Sequence, residues 1–368
     1  MIPVSEPSIG EAETAYVVEA LQTGWISSAG RFIEEFERGF AHYCGRRHGI
    51  AVSNGTVALQ LAVACLKLEP GDEIIMPSFT IISCALAAIY NDAVPVLVDV
   101  DPETWCMDVA QIEAKITART RAIMPVHMYG HPVDMDVVED IARRHGLAVV
   151  EDAAEAHGAE YGGRRCGSFG DLSCFSFYAN KIITTGEGGM VLTDDDALAA
   201  LARSKRNLCF GDRRRFFHDD LGFNFRLTNL QAAIGVGQLE RIDAVLARKR
   251  QMAAAYAQGL AGLPLQLPTE KRGAKNVYWM YGAVLDDSVG FDAGTFAVRL
   301  AERGVQTRPF FVGMHEQPAL RERGLFVEER YTVTERISVR GLYLPSGQAI
   351  TDRQIGDVIS AVRDVFES

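Results

Sequence analysis

The chain has no CxxC pair and no Cys/His cluster at the spacing of a zinc site. Its seven cysteines, an odd number, lie mostly inside apolar runs, at 44, 65, 84, 106, 166, 174 and 209. That argues against a secreted disulfide framework and for buried thiols in a reducing cytoplasm. No uninterrupted apolar run approaches the roughly 20 residues of a membrane span. The N-terminal MIPVSEPSIGEAE lacks a basic stretch followed by an apolar one, so no signal peptide is expected. Basic charge is in deficit. A net charge of −11 argues against a general nucleic-acid or anionic-membrane binder, though a local basic patch can still hold an anion. No period of roughly 20–50 residues repeats. No GxGxxG follows an early strand with an acid about 20 residues on, so a nicotinamide-dependent sugar oxidoreductase loses its usual support.

What is present is ordinary in bulk. Hydrophobic residues make up 48% and charged residues 23%, as in globular proteins. The 368 residues correspond to about two domains at roughly 150 residues each. Helical patterns at 11–23 and 32–44 flank a turn, TGWISSAGRF. Short β-rich runs follow at 73–77, 95–100, 121–126, 147–151, 172–178 and 189–193, with helical patterns at 56–68, 80–90, 108–116 and 134–145. This alternation predicts an α/β fold with a mostly parallel sheet covered on both faces. Ligands of such sheets bind beyond the carboxyl ends of the strands. After a helix at 194–205 comes an arginine-bearing loop, RNLCFGDRRRFFHDDLGFNFR, then one long or bent helix from a Thr228 cap. A strand at 277–285, a helix at 293–303, a strand at 305–311 and a helix at 351–366 complete the chain. The expected division is a large domain over 1–245 and a smaller α+β domain over 246–368, with the long helix as the joint.

Four stretches place reactive groups at strand ends. In SNGTVAL a loop with Gly55 opens a helix at Thr56, where free N–H groups and the helix dipole suit a phosphate; an ordinary N-cap is the alternative. VVEDAAEAHGA ends an apolar strand in Glu151 and Asp152. A carboxylate there suits a cationic ring nitrogen, or is simply a solvated strand end. FSFYANKIITTGEGGM sets Lys181 between an apolar strand and a glycine-rich turn. A surface lysine is the commoner fate, but a desolvated amine has a lowered pKa and forms a Schiff base. Asn224 sits between aromatics in GFNFR, a setting that is more often structural. Together these groups match what pyridoxal 5'-phosphate (PLP) requires of a protein.

These motifs, with TGWISSAGRFIEEFE, PGDEIIMPSFT, MPVHMYGHPVDM, YWMY and TRPFF, resemble the DegT/DnrJ/StrS family of PLP-dependent sugar-nucleotide aminotransferases. The resemblance spans nearly the whole chain. It implies fold type I, the aspartate-aminotransferase-like fold, with a mostly parallel seven-stranded sheet. It implies that Lys181 bonds the cofactor's aldehyde carbon and that Asp152 pairs with the pyridine nitrogen. Gly55, Thr56 and Ser176 would hold the phosphate. Asn224 would reach the phosphate of the neighbouring subunit, hence a homodimer with shared active sites. Two positions depart from the family. Glu155 stands where Gln or His is usual, near the phenolic oxygen, and Ile81 stands where an aromatic usually stacks on the ring.

The WISS, NKxITTGEGGM and TRPxF…MH segments are most similar to members that aminate GDP-4-keto-6-deoxymannose with L-glutamate; other members use other nucleotide keto-sugars. Trp25, Ser27, Ser28, Arg308 and His315 lie in segments that resemble substrate-binding ones, although Trp25 also fits a core position and His315 a satisfied loop histidine. Arg213–Arg215 is a candidate for the pyrophosphate or a solvated charged face. The family's dehydratases carry histidine in place of the Schiff-base lysine, and Lys181 argues against them. A non-catalytic sensor would be expected to lose Lys181 or Asp152. The expected setting is the cytoplasm, with no metal, nucleic acid or membrane partner.

Overall fold

The computed structural model describes residues 1–211 and 216–367. The run Arg213–Arg215 lies outside them. Seven strands build the main sheet: β1 (His48–Val52), β2 (Glu73–Pro77), β3 (Val94–Val98), β4 (Thr120–Ile123), β5 (Ala148–Asp152), β6 (Leu172–Ser176) and β7 (Gly189–Thr193). Their order is β1-β7-β6-β5-β4-β2-β3. From β6 to β3 every pairing is parallel, and β7 runs antiparallel to both its neighbours. Six strands therefore point the same way, and their carboxyl ends share one rim. The strands read as continuous apolar runs because helices cover both faces. β2 and β6 are buried at every position.

Helices α1 (Glu11–Thr23), α2 (Arg31–Cys44), α3 (Gly55–Cys65), α4 (Ser83–Ile89), α5 (Met135–His145) and α6 (Asp196–Arg206) surround this sheet. α3 is apolar nearly all round, as a helix enclosed by protein must be. Asn54 caps it, accepting from Val57 N–H at 3.0 Å. Gly146, in the left-handed region at φ 64°, ends α5.

Several expected elements are shorter in the structure. The strand expected over 121–126 stops at Ile123, because Pro125 has no N–H for the ladder; its carbonyl still accepts from Asp152 N–H at 2.9 Å. The helix expected over 108–116 is two 3-10 turns, Val109–Gln111 and Glu113–Lys115. There Asp108 takes Ala110 N–H and the Gln111 amide, which favours tight turns over a continuing helix. The helix expected from Thr228 breaks at Arg241 into α7 (Asn229–Glu240) and α8 (Ile242–Gly259).

A second, antiparallel sheet contains β8 (Leu265–Gln266), β9 (Tyr281–Leu285), β10 (Arg308–Pro309) and β11 (Gly341–Leu344), in the order β8-β9-β11-β10. The strand expected over 305–311 shrinks to β10, an edge strand that carries Pro309. Two apolar clusters underlie the two sheets, and α8 passes from one to the other. Ile242 and Val245 belong to the first; Met252, Ala253 and Tyr256 belong to the second. The proposed division near residue 245 falls at that handover. It is not a clean cut: Trp279, Phe310 and Met314 pack into the first cluster, and Ile2 pairs with Val305. All seven cysteines are free and buried. Among the described residues no helix is long and apolar enough to cross a membrane.

Candidate active site

The ends of β5 and β6 and the start of α3 enclose a cavity of about 670 Å³. Local packing delivers Lys181 to it. Phe175 and Phe177 meet Phe40 edge-on, at 4.8 and 5.1 Å between ring centroids, which locks the end of β6 and the residue after it into the core. The chain then turns, with Lys181 N–H donating to Tyr178 O at 2.9 Å and Thr185 N–H to Phe177 O at 2.9 Å. The glycines after it permit close approach. A Cβ on Gly189 would fall 2.3 Å from Asn54 O, so only glycine lets β7 lie against the loop that opens α3.

Lys181 is sealed on one side by a ring and on the other by carboxylates. Its Nζ lies 3.6 Å from the centroid of the Trp279 indole and 3.9 Å from Glu155 Oε1. Burial pulls the amine below the ordinary lysine value, while Glu155 and Asp152 push it back up. Asp152, 3% exposed at the end of β5, accepts from Ala154 N–H at 3.0 Å and from the Cys84 thiol at 3.2 Å. Burial raises its carboxyl above the ordinary aspartate value. Glu155 accepts Tyr129 N–H at 2.7 Å, and burial raises its carboxyl to about 7.

An anion cradle lies beside these groups. Asn54 occupies the N–H groups of Val57 and Ala58. Among the described residues, those of Gly55 and Thr56 have no protein acceptor. A Cβ on Gly55 would come within 2.6 Å of Ser176 Cβ, so glycine keeps open the gap between α3 and Ser176. Thr56 Oγ1 bonds Ser83 Oγ at 2.8 Å, and both line the cavity. A helix N-terminus, two hydroxyls, a buried carboxylate and a desolvated amine thus converge in one space. They fit the three handles of PLP: phosphate, ring nitrogen and aldehyde.

Of the residues singled out in the sequence, Gly55, Thr56, Ile81, Asp152, Glu155, Ser176 and Lys181 line this cavity. Ile81 is half exposed there. Asn224 does not line it; it is exposed, and it pairs with Asn207 beside the loop that opens α3. Trp25, at 59% exposure, is not a core residue. It lines a separate cavity of about 450 Å³ with Gly30, Arg31 and Asn229. Ser27 is exposed, and its carbonyl accepts from Asn229 N–H at 2.6 Å. Ser28 lines a third cavity, of about 320 Å³, with Arg203, Arg206 and Arg226. Arg308 is exposed on β10, opposite Tyr343, which does line the main cavity. His315 is buried and bonds Glu335 at 3.2 Å.

Trp279, Cys84, Phe311 and Tyr343 were not singled out. The signal for Trp279 was the YWMY segment, but its position against Lys181 arises only when the C-terminal part docks. His127, Glu151 and Cys166 cluster in the core. There His127 Nδ1 accepts from Val133 N–H, so Nε2–H donates to Glu151 at 2.8 Å. The oxygens of Glu151 also take the N–H groups of Gly167 and Phe169 and the Ser173 hydroxyl. With these donors and acceptors matched, the cluster reads as a hydrogen-bonded core network.

The model for the DegT/DnrJ/EryC1/StrS aminotransferase family matches residues 7–363. GDP-perosamine synthase of Caulobacter vibrioides is 45% identical over 367 residues, covering 99% of this chain and 98% of that protein. GDP-perosamine synthase of Vibrio cholerae is 37% identical, covering 100% and 99%. Among solved structures, DesV of S. venezuelae is 36% identical with a TM-score of 0.89, covering 97% of this chain and 94% of that one. The aminotransferase TlmJ of Streptoalloteichus hindustanus is 33% identical with a TM-score of 0.93, covering 100% and 99%.

Proposed function

We propose, because this chain belongs to the DegT/DnrJ/EryC1/StrS aminotransferase family, that it transfers the amino group of L-glutamate to the keto carbon of a nucleotide-linked sugar, GDP-4-keto-6-deoxymannose, yielding GDP-perosamine. The enzyme is a PLP-dependent sugar aminotransferase. The observation that carries the reading is the convergence of Lys181, Asp152 and the N-terminus of α3 on one cavity. The choice of GDP-sugar rests on similarity to the GDP-perosamine synthases.

Bound there, PLP supplies an aldehyde that takes up amines and a protonated ring that draws electrons from the substrate carbon. Gly55, Thr56 and Ser176 hold its phosphate, with Asn224 of a second copy of the chain. Asp152 accepts the ring N–H and keeps that nitrogen protonated. Ile81 would pack on the ring face, and Glu155 would face the phenolic oxygen; both line the cavity. Once its amine is released, Lys181 acts as general base. With the cofactor bound, its Nζ would take the proton from the α-carbon of glutamate. In the second half-reaction the same amine would deliver a proton to the sugar carbon that receives the amino group. Burial favours this role by holding the amine below the ordinary lysine value, which makes its neutral form easier to reach. Trp25, Ser27, Ser28, Arg308 and His315 are assigned to the sugar nucleotide. The enzyme works as a homodimer in the cytoplasm, a setting that its seven buried thiols support.

The test is the visible absorbance of the purified protein with PLP. A yellow band that bleaches with glutamate and returns with GDP-4-keto-6-deoxymannose establishes both half-reactions and the substrate. Bleaching that is reversed only by another nucleotide keto-sugar keeps the aminotransferase and replaces the sugar. No band with excess PLP removes Lys181 from its assigned role.

A further inference from the structure

Lys249, on α8, is a lysine sealed inside the protein at 3% exposure. No carboxylate pairs with it among the described residues. Its Nζ donates to Trp279 O at 2.8 Å and to Ser346 O. Burial alone pulls its amine down to about 7. Burying an ammonium without a counter-charge is costly. Both carbonyl bonds survive loss of the proton, since a neutral amine still carries two N–H groups.

The two carbonyls belong to the two segments that grip the Lys181 turn. Trp279 donates its indole N–H to Asn180 O at 2.8 Å and lays its ring 3.6 Å from Lys181 Nζ. Gln348, two residues beyond Ser346, gives its amide to Lys181 O at 3.3 Å and to Ile182 O at 2.5 Å. Three consecutive carbonyls of the turn, those of residues 180, 181 and 182, are thus held from the C-terminal part of the chain. Lys249 joins the two holders behind them. The Ser346 segment is tied further: its N–H donates to Val4 O at 2.8 Å, and its hydroxyl oxygen accepts from Tyr281 N–H at 3.3 Å.

We propose that Lys249 is a positioning residue for Lys181: by bridging the Trp279 and Ser346 carbonyls it sets the spacing of the indole and the Gln348 amide that fix the Lys181 turn. The proposal rests on the function assigned to Lys181 above. It places part of the geometry of the reactive amine under the control of the helix that joins the two apolar clusters.

Lys249→Met removes both donors and keeps a long apolar side chain. Three quantities are measured on wild type and variant: the rate at which visible absorbance appears when PLP-free protein meets PLP, the single-turnover rate of bleaching by glutamate, and Tm. Both rates are expected to fall on the order of 10- to 100-fold. Lys249→Arg, which keeps the donors, is expected to restore part of each rate. A Lys249→Met protein that loses Tm but captures PLP and turns over at wild-type rates overturns the proposal. If Lys249→Met does not fold, Gln348→Ala and Trp279→Phe take its place. Each releases one hold on the turn with the amine still present, and wild-type rates in both overturn the proposal. Absence of the band in the wild type fails the reading of Lys181 itself, and with it this proposal; that is distinct from losses confined to the variants.

Discussion

The amine of Lys181 stands 3.9 Å from Oε1 of Glu155, with both side chains at most 10% exposed. Each holds the other charged against burial. Burial raises Glu155 and the ammonium lowers it, the balance standing at about 7; burial lowers Lys181 and the carboxylate raises it. Glu155→Gln removes the charge that keeps the amine protonated. The neutral amine is then reached at lower pH, and only the neutral amine attacks the cofactor's aldehyde. The pH midpoint for PLP capture is expected to move down, on the order of one unit. It is read from the rate of absorbance increase on mixing PLP-free protein with PLP across pH 5–9. A midpoint that stays or rises contradicts this account.

Lys181→Ala is expected to abolish turnover, since among the described residues no other side chain lining the cavity offers an amine. Asp152→Asn keeps the shape but loses the charge that protonates the ring nitrogen, and a fall in kcat by orders of magnitude is expected. Near-normal rates in either variant contradict the assignment. Cys84 offers a finer probe, because among the described residues its thiol is one of two hydrogen-bond donors to the Asp152 carboxylate. Cys84→Ala leaves only the Ala154 N–H, so a loss smaller than that of Asp152→Asn is expected.

Ile81 faces the cavity where the family usually places an aromatic residue. An isoleucine packs on a ring without the offset-stacking contribution of about 0.5–1.5 kcal/mol. Ile81→Tyr is therefore expected to lower the PLP dissociation constant about two- to tenfold, measured by absorbance titration. An unchanged constant means that the side chain at this position does not meet the ring.

The parts of this protein that were legible in its sequence are those determined within a short span. The alternation of Phe175 and Phe177 before Lys181, and the apolar run ending in Asp152, announce strand ends because side chains alternate locally. β1 is absent from the β-rich runs that the sequence shows, since five residues behind two arginines carry little signal of their own. The break at Arg241 was half seen, as a long or bent helix. What the sequence withheld is what only tertiary docking creates. Trp279 lies 98 positions from Lys181, yet their side chains touch, and no local period encodes that meeting. The same applies to Cys84 beneath Asp152.

Asn224 is exposed and does not line the cavity of its own chain. Its neighbours Phe223 and Phe225 stack with centroids 4.5 Å apart and an interplanar angle of 1°, which presents the segment as a fixed edge. If Asn224 serves the partner's phosphate, damage to Lys181 and to Asn224 must complement between chains. Lys181→Ala and Asn224→Ala proteins, each impaired alone, are mixed, unfolded and refolded together. Random pairing makes half of the dimers mixed. In each of these one site carries both changes and the other carries neither. Activity should return to about a quarter of the wild-type value per chain. If Asn224 acts within its own chain, each site of a mixed dimer keeps one change, and no activity above that of the separate variants returns.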